Sequence, residues 1–123
     1  MSTAFGDFLH TVRKRTKGIQ VAKSSDISYV YLLDLEKGAR PVPSKTVLLK
    51  LADNLPFAPG EREHFFDLAA MEVGDVPLDV SCYLCENREL IEIIRKMKEA
   101  KINTDAFREL LENSKTGEAE NDK

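Results

Sequence analysis

Two cysteines three positions apart, Cys82 and Cys85 in the stretch LDVSCYLCENRELIEII, are the residues whose type and spacing first suggest chemistry. A C-x-x-C can be a redox pair or half of a structural zinc site. Zinc needs four ligands, and the two histidines, His10 and His64, stand far apart and are not spaced as a ligand pair. A thioredoxin-type pair lies between a strand and a helix, whereas the residues around Cys82 and Cys85 read as continuous helix. The thiols are therefore expected to be small apolar residues on a helix face, with no metal and no cofactor. No glycine-rich phosphate loop and no His-Asp or Cys-His constellation accompanies them, so an enzyme is not expected.

Cations form the second set. Residues 1–50 hold nine Lys or Arg against four Asp or Glu, although the whole chain has a net charge of -3 and its remainder is strongly acidic. That asymmetry points to an N-terminal part that faces a polyanion and a C-terminal part that nucleic acid would repel. No window approaches eighteen consecutive apolar residues, and the first residues lack the basic-then-apolar plan of a signal peptide. A cytoplasmic protein with no membrane partner is the expectation.

The elements that must position these groups are short and helical, because almost nothing alternates with period two. Phe5, Phe8, Leu9 and Val12 give a first helix from Thr3 to Arg15, with Arg13, Lys14 and Arg15 at the end where the helix dipole favours cations. A second short piece offers Ile19, Val21 and Ala22 to a core. Ser28 caps a third helix bearing Tyr31, Leu32 and Leu35, which Gly38 ends. After the extended ARPVP, Ser44 caps a helix with Val47, Leu48, Leu51 and Leu55, and a fifth helix carries Phe65, Phe66, Leu68 and Ala69. Residues 72–77 read as a hinge before three further helical pieces, two of them capped by Asn87 and by Asn103 or Thr104. The polar end lacks apolar periodicity.

The run DISYVYLLDLEKGARPVPSKTVLLKLADNL resembles the Cro/repressor-type helix-turn-helix regulators of bacteria and phages, through Ile27, Ser28, Tyr31, Leu32, Leu35, Glu36, Gly38, Pro41 or Pro43, Leu48, Leu51, Ala52 and Leu55. With Phe5 to Arg13 at its opening and FFDLAA and VGDVPLDV further on, the resemblance covers roughly residues 5–112. It implies an all-α fold in which a five-helix repressor-like helix-turn-helix domain precedes a small helical C-terminal extension. The expected division is 1–72 for DNA binding, 73–113 for dimerisation or regulation, and 114–123 as a disordered tail. Three departures from the family bear on function. Lys17 and Gly18 replace its usual Ser-Gln, Ser25 stands where a core leucine is usual, and Asp26 replaces the turn glycine. Asp tolerates the left-handed backbone such a turn needs, so the turn is expected to survive while the second helix packs loosely.

What the resemblance implies for partners is double-stranded DNA, as a short inverted repeat, bound by a homodimer that represses a phage-like or mobile-element locus. Its base-reading positions fall on Tyr29, Val30 and Asp34 of the helix over residues 28–36, none of which is an Arg, Lys, Asn or Gln able to read a purine bidentately. A tyrosine hydroxyl, apolar contact of Val30 with thymine methyls and an aspartate facing cytosine N4 remain. Phosphate contacts are expected from Arg13, Lys17, Ser28, Lys37, Arg40 and Lys45. Glu36 is expected to pair with an N-terminal arginine such as Arg13. Leu90, Ile91, Ile94, Met97, Phe107 and Leu111 would form a dimer or regulatory surface, with room for a protein partner, or else a second small core. The alternative is a protein-binding module, an antitoxin, anti-repressor or inhibitor, anchored by Tyr29, Val30 and Leu33.

Overall fold

Several helices begin where a side chain can satisfy backbone N–H groups that a helix start leaves free. The computed structural model describes the backbone of residues 2–121 and the side chains of residues 2–115. The helices are α1 (Ala4–Arg13), α2 (Gly18–Ser24), α3 (Tyr29–Glu36), α4 (Lys45–Asn54), α5 (Glu61–Val73), α6 (Leu78–Glu86), α7 (Arg88–Glu99) and α8 (Thr104–Asn121). No strand occurs among the described residues, and the protein is all-α. No helix is long and apolar enough to cross a membrane. The hydroxyls of Thr3, Ser28 and Ser44 accept from the N–H of Gly6, Tyr31 and Val47, and the Asn103 side chain accepts from Ala106 N–H. Asp26, between α2 and α3, takes the left-handed conformation at φ 59°, and Gly38 does so after α3 at φ 74°.

Packing divides the chain into residues 1–83 and 84–123. In the first unit α1 lies against α3 and α5, α2 against α3 and α4, and α4 against α5. Phe5, Leu9 and Val12 join Val21, Ala22, Leu32, Leu35, Leu48, Leu51, Phe65, Phe66 and Ala69 in one buried cluster. Each large side chain so buried contributes about 1.5–3 kcal/mol. The division falls within α6, not at the expected 72/73 hinge, because Leu78 at the start of α6 packs on this cluster. Ile19, expected in the core, is 66% exposed. Its neighbours Val21 and Ala22 fill the inward face of α2.

Ser25 is fully buried, yet α2 is held by hydrogen bonds where leucine packing is missing. Ser25 Oγ donates to the Lys50 carbonyl at 3.5 Å, and Asn54 Nδ2 donates to the carbonyls of Ser24 and Lys50 at 3.3 and 2.7 Å. In the second unit, none of the residues described from Leu84 onward is buried. The sequence reading sets a disordered tail from Ser114, whereas α8 continues to Asn121; residues 122 and 123 lie outside those described.

Arg15, just past α1, reaches across to α5. Its Nη1 and Nη2 donate to the Glu61 carboxylate at 2.5 and 3.0 Å, and Ala58 N–H donates to the same group at 2.7 Å. The Arg15 contact first and the Ala58 N–H second hold the Glu61 carboxyl down to about 2, from an ordinary 4.5. A carboxylate whose folded pKa is depressed stabilises the fold above its unfolded pKa and stops doing so as it is protonated. The Glu61 contribution is thus complete at neutral pH and lost as pH falls from about 4.5 to about 2. In urea unfolding across this window, the stability difference between the parent and Glu61→Gln is expected to shrink towards zero at the acid end. A difference independent of pH would show that the pair contributes nothing.

Candidate nucleic-acid interface

The placement of α3 starts at its C-terminal end, where Glu36 is buried against α1. Arg13 Nη2 donates to Glu36 Oε1 at 2.6 Å, and Arg13 Nε donates to both carboxylate oxygens at 3.0 and 3.1 Å. His10 Nδ1 stands 2.6 Å from the same Oε1. Hydrogen bonding to Glu36 raises the Arg13 pKa above its ordinary value. Glycine at position 6 completes the contact, because a Cβ there would lie 2.6 Å from the Glu36 carbonyl and 2.8 Å from that of Leu35. Leu32 and Leu35 therefore point into the core, and the opposite side of α3 is left outward.

The Arg13–Glu36 pairing inferred from sequence is present, and it withdraws Arg13 from the expected phosphate contacts. The Arg13 side chain is 14% exposed and its donors are turned to Glu36, which is 3% exposed. His10 is the partner that sequence reading missed; it lies one turn before Arg13 on the same face of α1, a spacing that could have indicated it.

Of the expected base readers, only Val30 projects freely, at 68% exposure. Tyr29 is half-buried and packs against the core cluster, and its ring fills the space where a Cβ on Gly18 would lie, 2.7 Å away. Gly18 is thus the residue that lets α2 approach the start of α3. Lys17, Gly18, Ile19, Gln20 and Tyr29 line a depression of about 340 Å³. Asp34 is ion-paired with Arg40, Nε to Oδ2 at 3.7 Å, and the Arg40 guanidinium also lies 5.9 Å from the centre of the Tyr31 ring. Arg40 therefore spends part of its charge on the helix that it follows.

Among the expected phosphate donors, Lys17, Lys37 and Lys45 are exposed and make no ion pair among the described residues. Ser28 is exposed, but its hydroxyl already caps α3. Lys45 lines a different cleft, of about 180 Å³, with Val42, Pro43, Phe66 and Leu78, so it is not gathered with Lys17 and Tyr29. In the second unit Leu90, Ile91 and Met97 are half-buried, while Ile94, Phe107 and Leu111 are exposed. They form no second core.

Cys82 and Cys85 are free thiols three residues apart on α6, half-buried and exposed respectively. No group of three or more His, Cys, Asp or Glu among the described residues is placed to hold a metal ion. The chain matches no protein-family model, no curated protein and no solved structure.

Glu36→Ala would leave Arg13 largely buried without its counter-charge, and urea unfolding at neutral pH is expected to show a loss of about 3 kcal/mol or more. Lys37→Ala, one residue on and exposed, should stay within about 0.5 kcal/mol of the parent. Equal effects of the two substitutions would mean that the buried pair does not hold α3.

Proposed function

We propose that this chain is a sequence-specific DNA-binding regulator, a homodimeric repressor of a phage-like or mobile-element locus. In this reading residues 1–83 contain a repressor-like helix-turn-helix made by α2 and α3, and α3 enters the major groove of a short inverted repeat. The observation that carries it is the pair α2–α3, joined through left-handed Asp26 and packed together, with an outward face of α3 flanked by exposed Lys17 and Lys37. Lys17, Lys37 and Lys45 supply phosphate contacts, and base discrimination falls to the start of α3. Two such helices about 34 Å apart on one face of the duplex multiply modest half-site discrimination.

Support for the homodimer lies in α7. Leu90, Ile94 and Met97 recur at helical spacing on one face, and no residue of α7 is buried. A twelve-residue helix is marginal in water unless its apolar face is covered.

The second reading is a protein-binding module on the same scaffold, favoured by the exposure of Ile19 and Val30 beside half-buried Tyr29 and Leu33. Exposed apolar side chains suit a protein interface.

Fluorescence anisotropy with a library of short duplexes, including the protein's own upstream region, at 50 and 200 mM salt separates the two readings. A dimer using three lysines per subunit is expected to lose about 10³-fold in affinity over that salt range. Lys37→Ala should lower the salt slope by about two, one for each half-site. A folded protein that binds no duplex at 50 mM salt would overturn the DNA reading and favour the protein-binding one.

A further inference from the structure

A left-handed glycine shapes the end of α5. Gly74 takes φ 72°, Asp75 N–H donates to the Ala70 carbonyl at 2.9 Å, and the chain turns so that Leu78, at the start of α6, packs on the core cluster. The start of α4, the end of α5 and the start of α6 together bound the cleft of about 180 Å³. Leu48, Phe66 and Ala69, all buried, form its apolar part, and Val73 and Val76 join the lining while 60% and 49% exposed. Large apolar side chains left open to water beside a concave apolar surface mark a binding site. A dry apolar cavity of about 150 Å³ takes a benzene ring, so this cleft has room for one apolar group of that size.

Two opposite charges share the same lining. Lys45 and Asp75 are both exposed, yet neither makes an ion pair with the other or with any charge among the described residues. Asp75 Oδ1 accepts from Val76 N–H at 2.7 Å, which orients the carboxylate. Ser81, also in the lining, donates its hydroxyl proton to the Leu78 carbonyl at 3.0 Å and keeps its oxygen as an acceptor. Lys45 stands in the first turn of α4, where the helix dipole also favours an anion.

These groups select a ligand by elimination. A simple carboxylate would meet Lys45 but also Asp75, and a simple amine would meet Asp75 but also Lys45. A neutral hydrocarbon would cover Val73 and Val76 while drawing both charges from water without a partner. A molecule with an ammonium, a carboxylate and an apolar body matches both charges and the apolar lining. We infer that the cleft binds a free α-amino acid with a large apolar side chain, of leucine or phenylalanine size. Its carboxylate lies at Lys45, its ammonium at Asp75 and Ser81, and its side chain against Phe66 and Leu48. The site lies wholly within residues 1–83 and stands apart from the DNA reading.

The test is an NMR titration of the isotope-labelled full chain with leucine, phenylalanine and glycine, and with isocaproate and isoamylamine, which are leucine without its ammonium and without its carboxylate. Leucine or phenylalanine is expected to bind with a Kd of about 1 mM or below and to shift the amide signals of Lys45, Phe66, Val73 and Val76. Glycine and the two single-charge analogues should bind about tenfold more weakly or not at all. Lys45→Met and Asp75→Asn change exposed side chains, so the fold is retained, which circular dichroism checks. Each should weaken leucine binding about tenfold. A folded chain that binds neither leucine nor phenylalanine at about 10 mM would overturn the site. So would isocaproate or isoamylamine binding as tightly as leucine, signal changes confined to residues outside the cleft, or undiminished leucine binding in both variants.

Discussion

One carboxylate, that of Glu36, decides which way the third helix faces. It lies at the end of α3, almost without contact with water, and receives the Arg13 guanidinium on two edges with His10 beside it. Such a pair gains little over a well-packed apolar contact, since removing two charges from water offsets most of their attraction. Its value is directional. Only one rotation of α3 about its own axis meets Arg13 and His10, and in that rotation Leu32 and Leu35 enter the core while Val30 and Lys37 turn outward. Gly6 sharpens the constraint by letting α1 come against the last carbonyls of α3, where any side chain would collide.

Much of the scaffold was legible in the residues, because local rules wrote it. Thr3, Ser28 and Ser44 mark helix starts through their own hydroxyls. Asp26 and Gly38 mark turns through their tolerance of a left-handed backbone, and the Arg13–Glu36 contact is as expected. The apolar periodicity of α1, α4 and α5 also names most of the buried cluster.

The candidate surface was less legible, since it depends on which of several possible partners a side chain meets. Arg13 could have faced phosphate or Glu36 and took Glu36. Arg40 found Asp34 and Tyr31 on the helix before it. Ile19 looked like core because it is apolar and lies near Val21 and Ala22, but a seven-residue helix has only one inward face and those two fill it. Tyr29 could not be placed without knowing that Gly18 makes room for its ring. The boundary between the units was hidden for a similar reason, as Val-Pro punctuation suggests a hinge while Leu78 packs on the core just beyond it.

The contact of the first helix with the fifth has a consequence for how the chain is made. Phe5 meets Phe65 at 5.3 Å between ring centres, and α1 packs on α5 as well as on α3. As the polypeptide leaves the ribosome, Phe5, Leu9 and Val12 emerge early and have no complete set of neighbours until the segment through Ala69 has been synthesised. For that interval the N-terminal helix exposes its apolar face, and the core closes late in translation. Each of the other main packed pairs, α1 with α3, α2 with α3 and with α4, and α4 with α5, joins helices one or two places apart in the chain, so their loop closure costs less.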